Sequence, residues 1–249
     1  MNPSTSPKKA GLPRIVSQAE WLVARKELLR QEKELTRQRD ALSAERRQLP
    51  MVRVEREYNF EGPAGTVRLR DLFGKRRQLL VYHFMFDPSW EEGCKSCSLL
   101  ADSFPASLAH FAARDTRFAV VSRAPLAKLQ AFRQRMGWTF DWYSSFGGSF
   151  NHDYGVTVNV AADGDTYNYE KASTLKQAGK IWIEQGELPG LSVFLREGDE
   201  VFHTYSTYQR GLDPLMNVYN YLDLTPLGRQ EAGEHIMGWV RHHDRYELD

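Results

Sequence analysis

Residues 79–86 read LLVYHFMF, and after a seven-residue spacer come Cys94-Lys95-Ser96-Cys97. A nearly continuous apolar and aromatic run of that length is what a central strand buried on both faces requires, whereas a strand with one wet face would alternate. The cysteine motif therefore stands where a buried strand ends, and a helical pattern runs from Cys94 to about Arg114. Phe118–Ser122 (FAVVS) reads as a second short buried strand. Pro125 opens the next helix at a position that needs no N–H donor, and Gly137 stops it after Met136. Strand, helix, strand, helix in this rhythm gives parallel pairing and an α/β sheet.

Before this unit, Val52–Phe60 and Thr66–Leu69 flank Gly62-Pro63-Ala64-Gly65, the pattern of a hairpin. After it, Phe140 to Asp165 is irregular, and Leu191–Leu195 and Glu200–Thr204 then flank Gly198-Asp199, a second hairpin signal. At the other end, Ser17 and Glu20 have capping-box spacing at the head of a charged segment, free of Gly and Pro, that runs to about Gln48 before Pro50. Trp21, Leu28, Leu35, Leu42 and Leu49 recur every seven residues along it, with Leu22 and Leu29 beside the first two. The expected arrangement is a long helix whose apolar stripe is covered by its own domain; a homo-oligomer built through this helix is the alternative.

The chain of 249 residues carries 33 basic and 32 acidic side chains, a formal charge of +1, which argues against a general polyanion binder and so against nucleic acid as partner. Met1–Arg14 is polar and lacks the apolar core of a signal peptide, and no stretch reaches the roughly 18 apolar residues of a membrane span. A cytoplasmic protein without membrane contact is expected by default. Only two cysteines are present, and they lie three apart. Disulfide staples would be spread along the chain, so the pair reads as redox chemistry or metal ligation.

At a strand-to-helix junction, Cys94 falls near the helix N-cap and Cys97 in the first turn, where free N–H groups favour a thiolate. Only the thiolate attacks a disulfide, and a two-residue spacer brings both sulfurs to one helix end. Cys94 is then the nucleophile and Cys97 the resolving thiol. Lys95 adds positive charge, which Glu91 and Glu92 oppose. Zinc would need two further ligands, for which His83, His152 or His203 would have to fold nearby.

The segment EKELTRQRDALSAERRQLP, the LLVYHFMF run, the Gly93–Ser98 turn with Asp102, Val121-Ser122-Arg123-Ala124-Pro125, and PGLSVF followed by HTYSTYQRG resemble the thioredoxin-like domain-of-unknown-function family numbered 899. The resemblance covers about Val16 to Tyr246 and implies a predicted dithiol-disulfide oxidoreductase. Thioredoxin folds also place a cis-proline opposite the cysteines, and Pro189, just before LSVFL, occupies that place. The motif departs from thioredoxin in lacking Gly-Pro between the cysteines. It departs from peroxiredoxins in having Glu91 where a Thr or Ser lies three residues before the reactive cysteine.

The expectation is an α/β, thioredoxin-like fold with an N-terminal helical extension and an insertion, roughly Val156 to Leu188, before the last β-hairpin. Residues 1–49 form a flexible lead and the long helix, and residues 50–249 the thioredoxin-like domain with a C-terminal extension. The function expected is dithiol–disulfide exchange by Cys94 and Cys97, with Trp90, Lys95, Arg123 and Pro189 binding substrate or supporting the site. No cofactor and no metal is called for, and the partner is a thiol or disulfide substrate or reductant. The alternatives are a non-catalytic thioredoxin-fold binding module, with a metal held by the cysteines and a histidine, and a thiol peroxidase. His83 reads as a hydrogen-bonded core residue, and His242-His243-Asp244 as part of a flexible charged tail.

Overall fold

The computed structural model describes residues 12–231 and 236–247. Two units are distinguished within the chain, Met1–Pro50 with Tyr221–Ile236, and Met51–Asn220 with Met237–Asp249.

In the first unit, Ser17 and Glu20 close the expected reciprocal cap. The Glu20 N–H donates to Ser17 Oγ at 3.2 Å, and the Ser17 N–H donates to Glu20 Oε2 at 2.9 Å. From this cap runs α1 (Gln18–Arg46). Surface ion pairs such as Arg30–Glu27 and Arg37–Glu34 support it by a few tenths of a kcal/mol each. No residue of α1 is buried within the described residues, and Trp21 and Leu35 are 50% and 58% exposed. Between the heptad leucines stand Gln31, Gln38 and Glu45, so one position in each seven is large and apolar along most of the helix, a narrow face.

The second unit is built on one eight-stranded sheet. In chain order its first six strands are β1 (Val52–Arg53), β2 (Asn59–Gly62), β3 (Gly65–Arg68), β4 (Gln78–His83), β5 (Thr116–Ser122) and β6 (Trp142–Ser144). The insertion carries β7 (Thr157–Asn159), β8 (Thr166–Tyr167), β9 (Glu170–Lys171) and β10 (Gln185–Glu187), and the last hairpin is β11 (Gly190–Glu197) and β12 (Glu200–Tyr208). The sheet order is β1-β12-β11-β4-β5-β6-β2-β3, with β4, β5 and β6 mutually parallel and β11 antiparallel to both β4 and β12. A βαβ unit joined edge to edge with an antiparallel hairpin is the thioredoxin-like arrangement. The crossover from β4 carries α2 (Lys95–Ala101) and α3 (Ala109–Ala112), and that from β5 carries α4 (Leu126–Arg135). The single long helix expected from Cys94 to Arg114 is thus two short ones, with Pro105, which cannot donate to a helical ladder, between them.

Successive residues of β4 point to opposite faces, and this divides the core. Tyr82 faces α2, while His83 faces a cluster containing Phe150 of α5 (Phe150–Asp153), Tyr154 and Phe194. His83 Nε2 meets Ser192 Oγ at 2.8 Å, and a chain of 2.8 Å bonds continues through Ser206 Oγ to His203 Nε2. Burial pushes the His83 pKa down to about 3, so its ring is neutral and serves the core.

The insertion closes on a small core of its own. Val156, Val158, Tyr167, Leu175, Ile181 and Leu188 pack together with Tyr208 of β12, and α6 (Ala172–Gln177) supplies Leu175. Beyond β12, a 3₁₀ turn (Gln209–Leu215) leads to α7 (Asn217–Leu222).

Candidate active site

Cys94 is placed by the loop that leaves β4. Asp87 starts the loop with a side-chain turn, accepting from the Ser89 N–H at 2.9 Å and the Ser89 hydroxyl at 2.7 Å. From α4, the Lys128 ammonium reaches across and donates to the carbonyls of Pro88 and Trp90 at 3.0 and 2.9 Å. The Cys94 N–H then donates back to the Met85 carbonyl at 3.1 Å, closing the loop. Gly93 is needed there for space: a Cβ on it would lie 2.7 Å from the Phe84 ring and 2.9 Å from the Phe132 ring. The turn into α2 is completed by Ser98, whose N–H and hydroxyl both donate to the Cys94 carbonyl at 2.9 Å.

Both cysteines are free thiols, in unlike surroundings. Cys94 is partly exposed at the N-cap of α2. Hydrogen bonding from the Cys97 thiol, followed by the N–H groups of Cys97 and Ser96 and the Ser96 hydroxyl, outweighs burial and lowers the Cys94 pKa to about 7. Cys97 is 2% exposed. Burial first, then the neighbouring Cys94 sulfur, push its thiol well above the ordinary range, although the Tyr82 hydroxyl and the Met85 N–H, 3.5 Å from its sulfur, partly offset this.

The C-terminal segment completes the site. His242 is 3% exposed, its Nε2 donates to the Gly93 carbonyl at 2.9 Å, and its ring packs edge-on against Phe132. His243 Nδ1 lies 2.8 Å from Asp102 Oδ1 at the end of α2, and Asp244 accepts from Arg135 Nε at 2.8 Å. The reading of this stretch as a flexible tail is therefore corrected. Its histidines strap the segment across the start and end of α2.

A cleft of about 480 Å³ opens over Cys94. Trp90, Trp182 and Met85 give it apolar surface, and Lys95, Arg241 and Arg245 give it positive charge. Glu92 is the one carboxylate among the lining residues; it is held by both Arg135 and Arg245. Burial pushes the Glu92 carboxyl up, but those cations outweigh it, and the pKa ends below the usual range.

Of the residues singled out in the sequence, Cys94, Lys95 and Trp90 meet in this cleft, and Cys97 lies beneath it. Arg123 does not line it. Its guanidinium bridges Asp87 and the buried Glu187, with Nε 2.7 Å from Glu187 Oε1. Thr157 and Asn151 also donate to Glu187, at 2.8 and 3.1 Å, so the carboxylate joins the β4 and β5 ends to the insertion. Pro189 precedes β11 as expected, but among the described residues no peptide bond is cis. Its carbonyl accepts from the Tyr167 hydroxyl at 2.8 Å. Arg241, Arg245 and Trp182 carry no local motif and come from segments far along the chain, and His242, visible in the His242-His243-Asp244 run, reads in sequence only as part of a tail.

Among the described residues, no group of three or more His, Cys, Asp or Glu is arranged to hold a metal. His83 and His203 are engaged with Ser192 and Ser206, and His152 with Asp165 at 2.9 Å. No helix of the described residues is long and apolar enough to cross a membrane.

Several solved structures are similar over most of their length. Peroxidoxin BcpB from Mycobacterium tuberculosis matches at 13% identity and a TM-score of 0.42, covering 70% of this chain and 97% of that one. A mutant of Xylella fastidiosa PrxQ matches at 12% and 0.41, covering 66% and 88%. A putative protein disulfide isomerase from Bacteroides thetaiotaomicron matches at 16% and 0.38, covering 69% and 91%. No curated protein matches the chain. Residues 10–246 match the bacterial family of unknown function DUF899, and the chain belongs to that family.

Proposed function

We propose that the protein is a thiol–disulfide oxidoreductase. The observation that carries this reading is the contrast within the pair: an accessible Cys94 with its pKa lowered to about 7 at the floor of a cleft, and a buried Cys97 held protonated beneath it. Near neutral pH, Cys94 is substantially thiolate and attacks one sulfur of a substrate disulfide, releasing the other half as a thiolate. Cys97 then attacks Cys94 Sγ, and the second half of the substrate leaves as a thiolate that takes up the Cys97 proton, so that Cys94 and Cys97 are joined in a disulfide. Two electrons pass from the dithiol to the substrate, and the reverse sequence oxidises a substrate dithiol. Trp90 and Lys95, which flank Cys94 in the cleft, are the supporting residues.

The test is a redox titration with thiol trapping and mass spectrometry. A reversible Cys94–Cys97 couple with a midpoint of roughly −200 to −270 mV is expected. Cys94→Ser should abolish reduction of a model disulfide, whereas Cys97→Ser should accumulate a mixed disulfide at Cys94. A pair that never cycles, or peroxide consumption far above that of a free thiol which survives Cys97→Ser, would count against exchange.

A further inference from the structure

We infer that the cleft over Cys94 selects small disulfides whose ends carry carboxylates. The inference rests on the exchange reading and adds to it the class of substrate. Lys95, Arg241 and Arg245 face the cleft against the single carboxylate of Glu92, so its balance is positive although the whole chain is nearly neutral.

None of the three is consumed by a private ion pair. Lys95 and Arg241 make no ion pair among the described residues. Arg241 spends one guanidinium nitrogen on the carbonyls of Gly238 and Val240, both at 3.1 Å, which fixes its root and leaves the other nitrogens available. Arg245 meets Glu92, but Glu92 also takes Arg135 at 2.5 Å, so the carboxylate is shared between two guanidiniums.

Guanidinium groups are suited to carboxylates because their forked N–H donors match both oxygens. A cleft of about 480 Å³ lies in the size range of small-ligand sites. Trp182, which lines it while 69% exposed, supplies apolar surface for the body of such a ligand. A ligand with anionic ends and a central S–S bond would place its sulfurs over Cys94 and its carboxylates against the cations.

The experiment measures the rate at which the reduced full chain is oxidised by three disulfides: oxidised glutathione (anionic), hydroxyethyl disulfide (neutral) and cystamine (cationic). Each rate is divided by that of dithiothreitol with the same disulfide, which removes intrinsic reactivity. The normalised anionic rate is expected to exceed the neutral one by about tenfold or more, with the cationic rate lowest. The preference should shrink sharply in 1 M salt, where the screening length is about 3 Å. Arg241→Gln with Arg245→Gln should cut the anionic-to-neutral ratio at least about fivefold. Because loss of Arg245 also disturbs Glu92, the exposed Lys95→Gln is the second variant, and it should lower the same ratio. Equal normalised rates for all three disulfides, or a ratio unmoved by both variants, would overturn the inference while leaving exchange intact. Failure of every disulfide to oxidise the pair would overturn the exchange reading, and the inference with it.

Discussion

Three residues apart, Cys94 and Cys97 meet opposite solvation, and that difference sets how each should react with an alkylating agent. Cys94 collects hydrogen bonds from Cys97 and Ser96 that favour its thiolate, while Cys97 is sealed under α2 against Tyr82. Iodoacetamide should label Cys94 with a rate that rises through a midpoint near pH 7, and should leave Cys97 unmodified until the protein unfolds. A midpoint at the ordinary value of about 8.5, or equal labelling of both thiols, would contradict this. The same shift has a stability consequence for the reduced form. The folded thiol is more acidic than the unfolded one, so its contribution is fully present above about pH 8.5 and is lost as pH falls through about 7. At this scale the sequence was legible wherever chemistry is local, as in the CxxC pair after a buried strand. Gly93 was not, because what forbids a side chain there is the pair of Phe84 and Phe132 rings, whose closeness to it is created only by the fold.

Among the elements, the segment 237–247 has the most to do with the site, since its His242 donates to the carbonyl of the residue just before Cys94. Replacing His242 by Ala would leave a buried acceptor without its partner, a cost of about 1–3 kcal/mol. His242→Gln, which can return an N–H to that carbonyl, should recover a good part of the loss, as read by urea unfolding of the reduced protein. The Ala variant should also shift the Cys94 labelling midpoint, because the loop carrying that sulfur loses an anchor. If Ala and Gln variants were equally destabilised, packing against Phe132 and not the hydrogen bond would be the source of the effect. The elements themselves were read with uneven success, for physical reasons. LLVYHFMF and the turns at Gly62–Gly65 and Gly198-Asp199 announce themselves through composition, and β2–β3 and β11–β12 form around those turns. The short pieces β7 to β10 exist because Val156, Tyr167, Leu175 and Ile181 bury one another, which no window of sequence displays. The break between α2 and α3 did carry a local signal in Pro105, which the helical pattern overshadowed.

On the scale of the molecule, the buried apolar side chains of the described residues all belong to the second unit, from Tyr58 to Val240, and none belongs to α1. The long helix carries its cap at Ser17 and ion pairs along its surface, each pair worth only a few tenths of a kcal/mol. A chain lacking residues 1–50 should therefore keep a cooperative thermal transition within about 4 °C of the full chain, since a shift of that size corresponds to roughly 1 kcal/mol in a domain of this length. It should also keep the Cys94 labelling profile, whose determinants all lie in the second unit. The half-exposed stripe from Trp21 to Leu49 gives the comparison a second readout. Fully burying such a side chain is worth about 1.5–3 kcal/mol, so if a second copy of the chain covers the stripe, sedimentation velocity will find the full chain as a dimer and the shortened one as a monomer. In that case the full chain's melting temperature will rise with protein concentration and that of the truncated chain will not. A truncated protein that melts far lower at every concentration, while the full chain sediments as a monomer, would mean that α1 stabilises the fold in a way its exposed side chains do not account for.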